Sequence, residues 1–173
     1  MLLEGKHSKL RALEPEDLEF LFQIENDTRL WEVSHTQAPF SKYILKQYLE
    51  NAYQDIYEAK QLRLMIVEKE SNQKIGMIDL FDFNPQHKRA GIGIFIAPKY
   101  QKNGYASEAL ALLISYSFSH LNLHQLYANI SVDNKKSIGL FTKFGFKKVG
   151  EKKDWLFVNG QYKNELIFQL IYE

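Results

Sequence analysis

The sequence of 173 residues has no cysteine, only four prolines and no long apolar run. The absence of cysteine excludes disulfide bonds, thiolate metal sites, iron–sulfur clusters and a cysteine nucleophile, and it fits the reducing cytoplasm, where we expect this protein to act. The longest apolar run, residues 109–114, is far shorter than the ~18 residues that a membrane span requires. The first residues also lack the apolar stretch of a signal peptide. We therefore expect a soluble protein without a membrane partner.

An excess of charge of either sign is lacking as well, because 22 basic and 21 acidic side chains give a net charge of +1. Proteins that bind nucleic acids neutralise several phosphates with basic side chains, so we expect no nucleic-acid partner. Hydrophobic residues make up 45% and charged residues 25% of the chain, which is typical of a globular protein. The length predicts one domain, spanning residues 1–173.

The periodicity of apolar residues predicts the element order β-α-α-β-β-β-α-β-α-β-β. Helices are expected from Pro15, over residues 41–60 and 104–120, and from Asn134. The crossover between the fourth and fifth strands should form a right-handed parallel unit. The expected strands are residues 9–13, 62–68, 75–83, 90–98, 125–132, 146–152 and 161–171.

Two glycines, Gly91 and Gly93, interrupt the fourth of these strands. Glycine inside a strand indicates a bulge, or the close approach of a ligand or another backbone. The same strand leads into a short glycine-containing loop and then a helix, over residues 96–106. Backbone N–H groups at such a helix start bind phosphate groups, and Gly104 would let an anion come close. A plain strand-to-helix turn is the alternative interpretation of the loop alone.

Several motifs in and after this loop together resemble those of the GNAT superfamily of acyl-CoA N-acyltransferases. Gln101-x-x-Gly104-x-Ala106 matches the pyrophosphate loop of the superfamily. Asn134-x-x-Ser137, followed by Phe144-Gly145-Phe146, is similar to its second cofactor segment. Residues 121–124 and 157–162 are similar to stretches of the branch that holds spermidine N-acetyltransferases and ribosomal-protein N-terminal acetyltransferases. The resemblance covers nearly the whole chain.

The resemblance implies an α+β fold: a single GNAT-like domain with a mixed, mostly antiparallel sheet, splayed central parallel strands and helices on both faces. It implies acetyl-CoA as co-substrate and no metal. Backbone groups of the fourth strand would pair with the pantetheine arm, backbone N–H groups of the loop would hold the pyrophosphate, and one side chain would bond the pantetheine. The strand backbone groups are those of Ile94, Phe95 and Ile96. The side chain is that of Asn134. The loop N–H groups are those of Gln101, Lys102, Asn103, Gly104, Tyr105, Ala106 and Ser107. A helix cap is the alternative role for Asn134, and the two roles are compatible.

The sequence departs from its relatives at two catalytic positions. Many relatives have a glutamate at the position of Gly91 and a tyrosine acid at the position of Phe141. An alkylamine acceptor is mostly protonated at neutral pH, so some group must take a proton from it. The departing thiol has a pKa of ~8.5, so protonation of the sulfur is helpful rather than essential.

The remaining candidates for catalysis are Asp79, Asp82, Ser137 and His87. The two aspartates are three residues apart on one strand, so we expect them to point to opposite faces, and we assign the cleft-facing position to Asp79. Ser137 lies one helical turn before Phe141, on the same helix face, and is assigned a hydrogen bond to the departing sulfur. We expect His87 to be an exposed turn residue.

The predicted activity is transfer of the acetyl group of acetyl-CoA to a primary amine, either on a polyamine or diamine or at a protein N-terminus. Gln37 and Ala38 stand where the spermidine branch has an acidic pair, which weakens the polyamine interpretation, whereas Glu25, Asp27 and Glu32 could attract a cation. The alternatives are a module that binds acyl-CoA without turnover and, with less support, an inert structural domain. A homo-oligomer is one of the states that the sequence allows.

Overall fold

The computed structural model describes residues 2–173 and contains one seven-stranded sheet. The strands are β1 (Ser8–Ala12), β2 (Leu62–Glu68), β3 (Lys74–Asn84), β4 (Arg89–Ile96), β5 (Gln125–Ser131), β6 (Lys147–Val158) and β7 (Gln161–Ile171). Their order across the sheet is β1-β2-β3-β4-β5-β7-β6. All neighbouring strands are antiparallel except β4 and β5, which are parallel. The predicted mixed, mostly antiparallel sheet is therefore confirmed.

The helices within the described residues are α1 (Leu18–Glu25), α2 (Trp31–Ser34), α3 (Lys42–Glu50), α4 (Ile56–Ala59), α5 (Tyr105–Ser119) and α6 (Lys135–Lys143). The prediction of one helix over residues 41–60 is wrong. Ser41 does cap the start of α3, since its Oγ accepts the N–H of Ile44 at 3.1 Å. A second start signal follows, because the carboxylate of Asp55 accepts the N–H groups of Tyr57 and Glu58, each at 2.9 Å. These bonds begin α4 as a separate helix.

Helices cover both faces of the sheet, as predicted. On one face, called the back face, α5 and α6 pack against the larger core, which includes Leu80, Leu113 and Phe141. On the other face, called the front face, α1 and α3 pack against a smaller core around Leu21 and Met65. Side chains alternate between the two faces along each strand. The front face also includes Arg63, Asp79, Gly93, Tyr127 and Glu165.

The parallel strands β4 and β5 pair only at their amino-terminal ends. The pairs are Arg89 with Gln125, Ala90 with Leu126, and Gly91 with Tyr127, and no later residue of β4 pairs with β5. Both strands continue beyond this point, β4 to Ile96 and β5 to Ser131. The strands therefore diverge, which confirms the predicted splay and opens a cleft toward their carboxyl ends.

A bulge in β3 changes the direction of Asp82. The register between β3 and β4 shifts between Phe81 and Asn84, and Asp82 has a positive φ of 47°. The alternation of side chains between the two faces is broken at this point. Phe83 therefore joins the back-face core, and the Asp82 carboxylate accepts a hydrogen bond from Tyr127 of the front face. The prediction that Asp79 and Asp82 point to opposite faces is therefore wrong.

The last two strands form a long hairpin at the edge of the sheet. Strand β6 runs to Val158, six residues beyond the expected end at residue 152, with irregular pairing between Lys152 and Leu156. The predicted turn at Asn159 and Gly160 is confirmed, because both residues have positive φ, 50° and 78°, as a two-residue hairpin turn requires. Within residues 2–173 no helix is both long and apolar enough to cross a membrane.

Candidate active site

The cleft between β4 and β5 opens onto the starts of two helices. Strand β4 continues through residues 97–104 into α5, and β5 continues through residues 132–134 into α6. Because parallel strands end at the same edge of a sheet, both helix N-termini lie at this end of the cleft. Their free N–H groups and helix dipoles favour a negatively charged ligand there.

The loop before α5 has the geometry of an anion-binding turn. Gly104 is the N-cap of α5 with φ of 81°, and no atom lies within 4 Å of the position that its Cβ would occupy. The Gln101 side chain donates to the Ile96 carbonyl at 3.1 Å, and the Asn103 side chain donates to the Tyr100 carbonyl at 3.2 Å. These bonds fix the loop and leave open space above Gly104 for a ligand.

Two lysines of α6, which were not among the residues expected from the sequence, border this loop and the first turn of α5. The Lys136 ammonium lies 3.4 Å from Oε1 of Gln101, and the Lys143 ammonium lies 3.3 Å from Oγ of Ser107. Neither forms an ion pair with any residue that the structure describes. Unpaired cations beside free N–H groups fit the phosphates of a nucleotide cofactor. Only the fold brings α6 to this loop, so no local sequence signal points to these lysines.

Asn134 is positioned at the start of α6, on the β5 side of the cleft. Its Oδ1 accepts the N–H of Ser137 at 3.3 Å, so the expected helix cap is present. Its side-chain NH₂ has no hydrogen-bond partner within residues 2–173 and is free to bind a ligand. The Ser137 side chain is partly exposed in the first turn of α6. Phe141, one turn later, is 4% exposed, and its ring packs edge-on against Phe146 in the back-face core.

Asp79 lies beside the cleft on the front face, between Arg63 of β2 and Gly93 of β4. A Cβ at Gly93 would come within 3.0 Å of the Asp79 Oδ1, so the glycine makes room for this carboxyl group. Burial raises the pKa of Asp79, while the nearby Arg63 guanidinium opposes that rise. Arg63 itself pairs with Glu25 at 3.1 Å. A carboxyl group with a raised pKa is a better proton acceptor than an ordinary exposed aspartate.

Asp82 and Tyr127 form a second polar pair where β4 and β5 begin to diverge. The Tyr127 hydroxyl donates to Oδ2 of Asp82 at 3.2 Å, and burial together with the Asp82 charge raises the pKa of Tyr127 to about 12. The Phe81 ring packs edge-on against Tyr127. A Cβ at Gly91 would lie 2.3 Å from that ring. A side chain at Gly91 would therefore require the Phe81 ring to move, and the polar groups at this point come from β3 and β5 instead.

The other expected positions have ordinary surroundings. His87 is exposed in the turn before β4, as predicted. Of the acids named as cation attractors, Asp27 pairs with Arg29 at 2.7 Å and Glu32 pairs with Lys163. The described residues contain no group of three or more His, Asp or Glu side chains that could hold a metal ion.

Comparison with known proteins identifies close relatives. The family model described as an acetyltransferase (GNAT) domain matches residues 8–147. A spermidine N(1)-acetyltransferase of Escherichia coli (strain K12) is 35% identical over 174 residues, which cover 96% of this chain and 89% of that protein.

Solved structures agree with this result. The crystal structure of spermidine N-acetyltransferase from Vibrio cholerae in complex with CoA and spermine has a TM-score of 0.85 and 28% identity, covering 96% of both chains. A dodecameric structure of spermidine N-acetyltransferase from the same organism has a TM-score of 0.81 and 29% identity, covering 96% of this chain and 95% of the other.

Proposed function

The chain belongs to the GNAT acetyltransferase family, and from this premise we propose that its acceptor is a polyamine. Family membership makes it an acetyl-CoA-dependent N-acetyltransferase and confirms the activity that the motifs predicted; a module that binds without turnover is not favoured. The observation that supports a polyamine is the position of Asp79 and Asp82, two carboxylates on one face beside the cleft. A polyamine carries several positive charges, whereas the other expected acceptor, a protein N-terminus, carries one.

The proposed cofactor-binding residues are those expected from the sequence, together with two lysines of α6. The backbone of Ile94, Phe95 and Ile96 faces the gap where β4 has no partner in β5 and is available to the pantetheine amides. The backbone N–H groups from Gln101 to Ser107 would hold the pyrophosphate, with Lys136 and Lys143 beside them. The remaining contact is the free NH₂ of Asn134. When bound, acetyl-CoA supplies the thioester that the amine attacks.

The proton acceptor in this proposal is Asp79. Its raised pKa and its place beside Gly93 suit a group that takes a proton from the acceptor ammonium before the amine attacks. Asp82, held by Tyr127, helps to attract the same ammonium. Ser137 hydrogen-bonds the departing sulfur, since Phe141 has no hydroxyl and is packed in the core. The second proton that the nitrogen loses when the amide forms passes to water, and water returns a proton to the departing sulfur.

The oligomeric state and the place of action also belong to this proposal. The dodecameric neighbour supports a homo-oligomer, and exposed aromatic side chains of the β6–β7 hairpin, such as Trp155 and Phe157, are available for contacts between copies. A cytoplasmic location stays a prediction from the absence of cysteine.

Calorimetry with acetyl-CoA and a thiol-release assay with spermidine test this function. We expect Gly104→Asp to weaken acetyl-CoA binding strongly, because a negative charge would stand where the pyrophosphate lies. Gly160→Asp is the matched control, since Gly160 also has positive φ and open space around its Cβ position but lies in the turn between β6 and β7 and not in the loop before α5. Release of thiol without any polyamine dependence would contradict the proposed acceptor, and equal binding by both variants would contradict the proposed cofactor site.

A further inference from the structure

Glu165 of β7 is a buried carboxylate with only one of its two oxygens paired. The residue is 2% exposed and lies opposite Ser131 of β5 on the front face. The Lys152 ammonium lies 2.9 Å from Oε1. Oε2 has no hydrogen-bond partner within residues 2–173. A buried carboxylate oxygen without a donor is costly, so this site is built to receive one.

A neighbouring donor, the imidazole of His35, does not reach Oε2. The Nε2 of His35 is 3.7 Å away, beyond hydrogen-bond distance. His35 ends α2 with φ of 58°, and its side chain is 54% exposed. Because the imidazole lies at the surface, it can turn into solvent and leave Oε2 to a donor from outside the protein.

Glu165 also lies at a useful distance along the cleft. Ser131 is four residues after Tyr127 on β5, the strand that borders the cleft. At ~3.3 Å per residue this separation is about 13 Å. Asp82, bonded to Tyr127, marks the near end of this path and Glu165 marks the far end, while Asp79 lies beside the path opposite Gly93, all on the front face.

We propose that Glu165 is a second ammonium-binding group of the acceptor site, which selects amines that carry a remote positive charge. The inference rests on the proposed function and deepens it. The remote ammonium donates a hydrogen bond to Oε2, while Lys152 keeps Oε1 and His35 turns outward. The interaction is non-covalent, and the reacting nitrogen stays beside Asp79. A monoamine cannot occupy both places, so it gains nothing from Glu165.

The test compares spermidine with butylamine, at saturating acetyl-CoA, in the full-length protein. For Glu165→Gln we expect KM for spermidine to rise about tenfold with kcat nearly unchanged, since a charge-assisted hydrogen bond is lost. KM for butylamine should not change. Glu151→Gln is the matched control, because Glu151 neighbours Lys152 but forms its ion pairs with Lys148 and Lys153 at the surface; it should leave both values unchanged. An equal rise for both amines, or no rise for spermidine, would overturn the proposal.

Two further measurements distinguish direct binding by Glu165 from an indirect effect on the fold. Calorimetry of spermidine binding to the CoA complex should show the same tenfold weakening in Glu165→Gln, and this readout holds even if neither amine is acetylated, which would count against the proposed function instead. His35→Ala should leave KM for spermidine unchanged or lower it, because the imidazole only covers Oε2. If His35→Ala raises that KM as much as Glu165→Gln does, Glu165 acts by holding α2 and the proposal fails.

Discussion

The proposed cofactor end of the cleft, at the starts of α5 and α6, and the proposed acceptor face, which is the front face beside the cleft, differ in how their charges are compensated. At the cofactor end, Lys136 and Lys143 have only neutral partners. On the acceptor face, acids are paired with cations of the chain, as Glu25 is with Arg63 and Glu165 with Lys152. Solvent stabilises the exposed lysines without a partner, whereas a buried carboxylate needs one. The cofactor end is therefore ready for an anion, and on the acceptor face a ligand ammonium must supplement or replace existing pairs.

Asp79 and Asp82 are the exceptions on the acceptor face, since neither forms an ion pair with a residue that the structure describes, and removal of Asp79 should have the largest effect. Asp79→Asn should lower kcat about 10²–10⁴-fold, the usual contribution of a general base, with acetyl-CoA affinity preserved. Asp82→Asn should cost much less, because Asp82 is exposed and held by Tyr127 rather than placed beside Gly93. Steady-state kinetics with spermidine and calorimetry with acetyl-CoA measure both values. If neither variant loses more than a few-fold, no carboxylate takes the proton and water does.

Asp17, in contrast, is a buried acid whose charge is fully compensated by groups of the protein. Asp17 is fully buried and bonded by Arg11 at 2.8 Å, by Lys74 at 3.0 Å and by the N–H of Glu14 at 2.8 Å. Burial opposes its ionisation, but the hydrogen bonds from Arg11, the Glu14 N–H and Lys74 hold the pKa of Asp17 at about 2. Since the folded-state pKa is lowered, the ionised carboxylate stabilises the fold above about pH 4. That stabilisation is lost as the pH falls toward 2.

We expect Asp17→Asn to lower the free energy of unfolding by about 2 kcal/mol at pH 7, or Tm by roughly 6 °C, with little effect on KM. Thermal melts of both proteins from pH 7 to pH 2.5 measure this, and the difference should shrink as the pH falls. A difference that stays constant with pH would show that packing, rather than charge, accounts for the stability.

The features that were predictable from sequence are those set by local chemistry. Gly104 at the start of α5 and the Asn159–Gly160 turn were recognisable because their backbone conformations favour particular residues. The parallel crossover followed from the change between strand and helix periodicity. The break after α3 was missed although Asp55 provides a cap, because the apolar pattern continues through it.

The features that were not predictable depend on pairing between distant segments. The bulge at Asp82 shows in the β3–β4 register and in no local pattern, and it moved this carboxylate to the front face. Lys143 meets Ser107, and Glu165 meets His35 and Lys152, only after the sheet has formed. Periodicity identifies which face a residue occupies, but the partner on that face comes from topology.

The smallest expected effect concerns the lysines of the cofactor end. Lys143→Gln should weaken CoA binding about threefold, and the double variant Lys136→Gln/Lys143→Gln should weaken it about tenfold. These effects are small because exposed charges are screened by solvent. The dependence of CoA affinity on salt concentration should become less steep in the double variant. Calorimetry at low and high salt measures both effects. Lys46→Gln is the matched control, since it removes an exposed lysine from α3 on the other face of the sheet and should change neither value. A loss of affinity in Lys46→Gln equal to that in Lys143→Gln would mean that net charge, rather than the position of α6 beside the loop, attracts the cofactor.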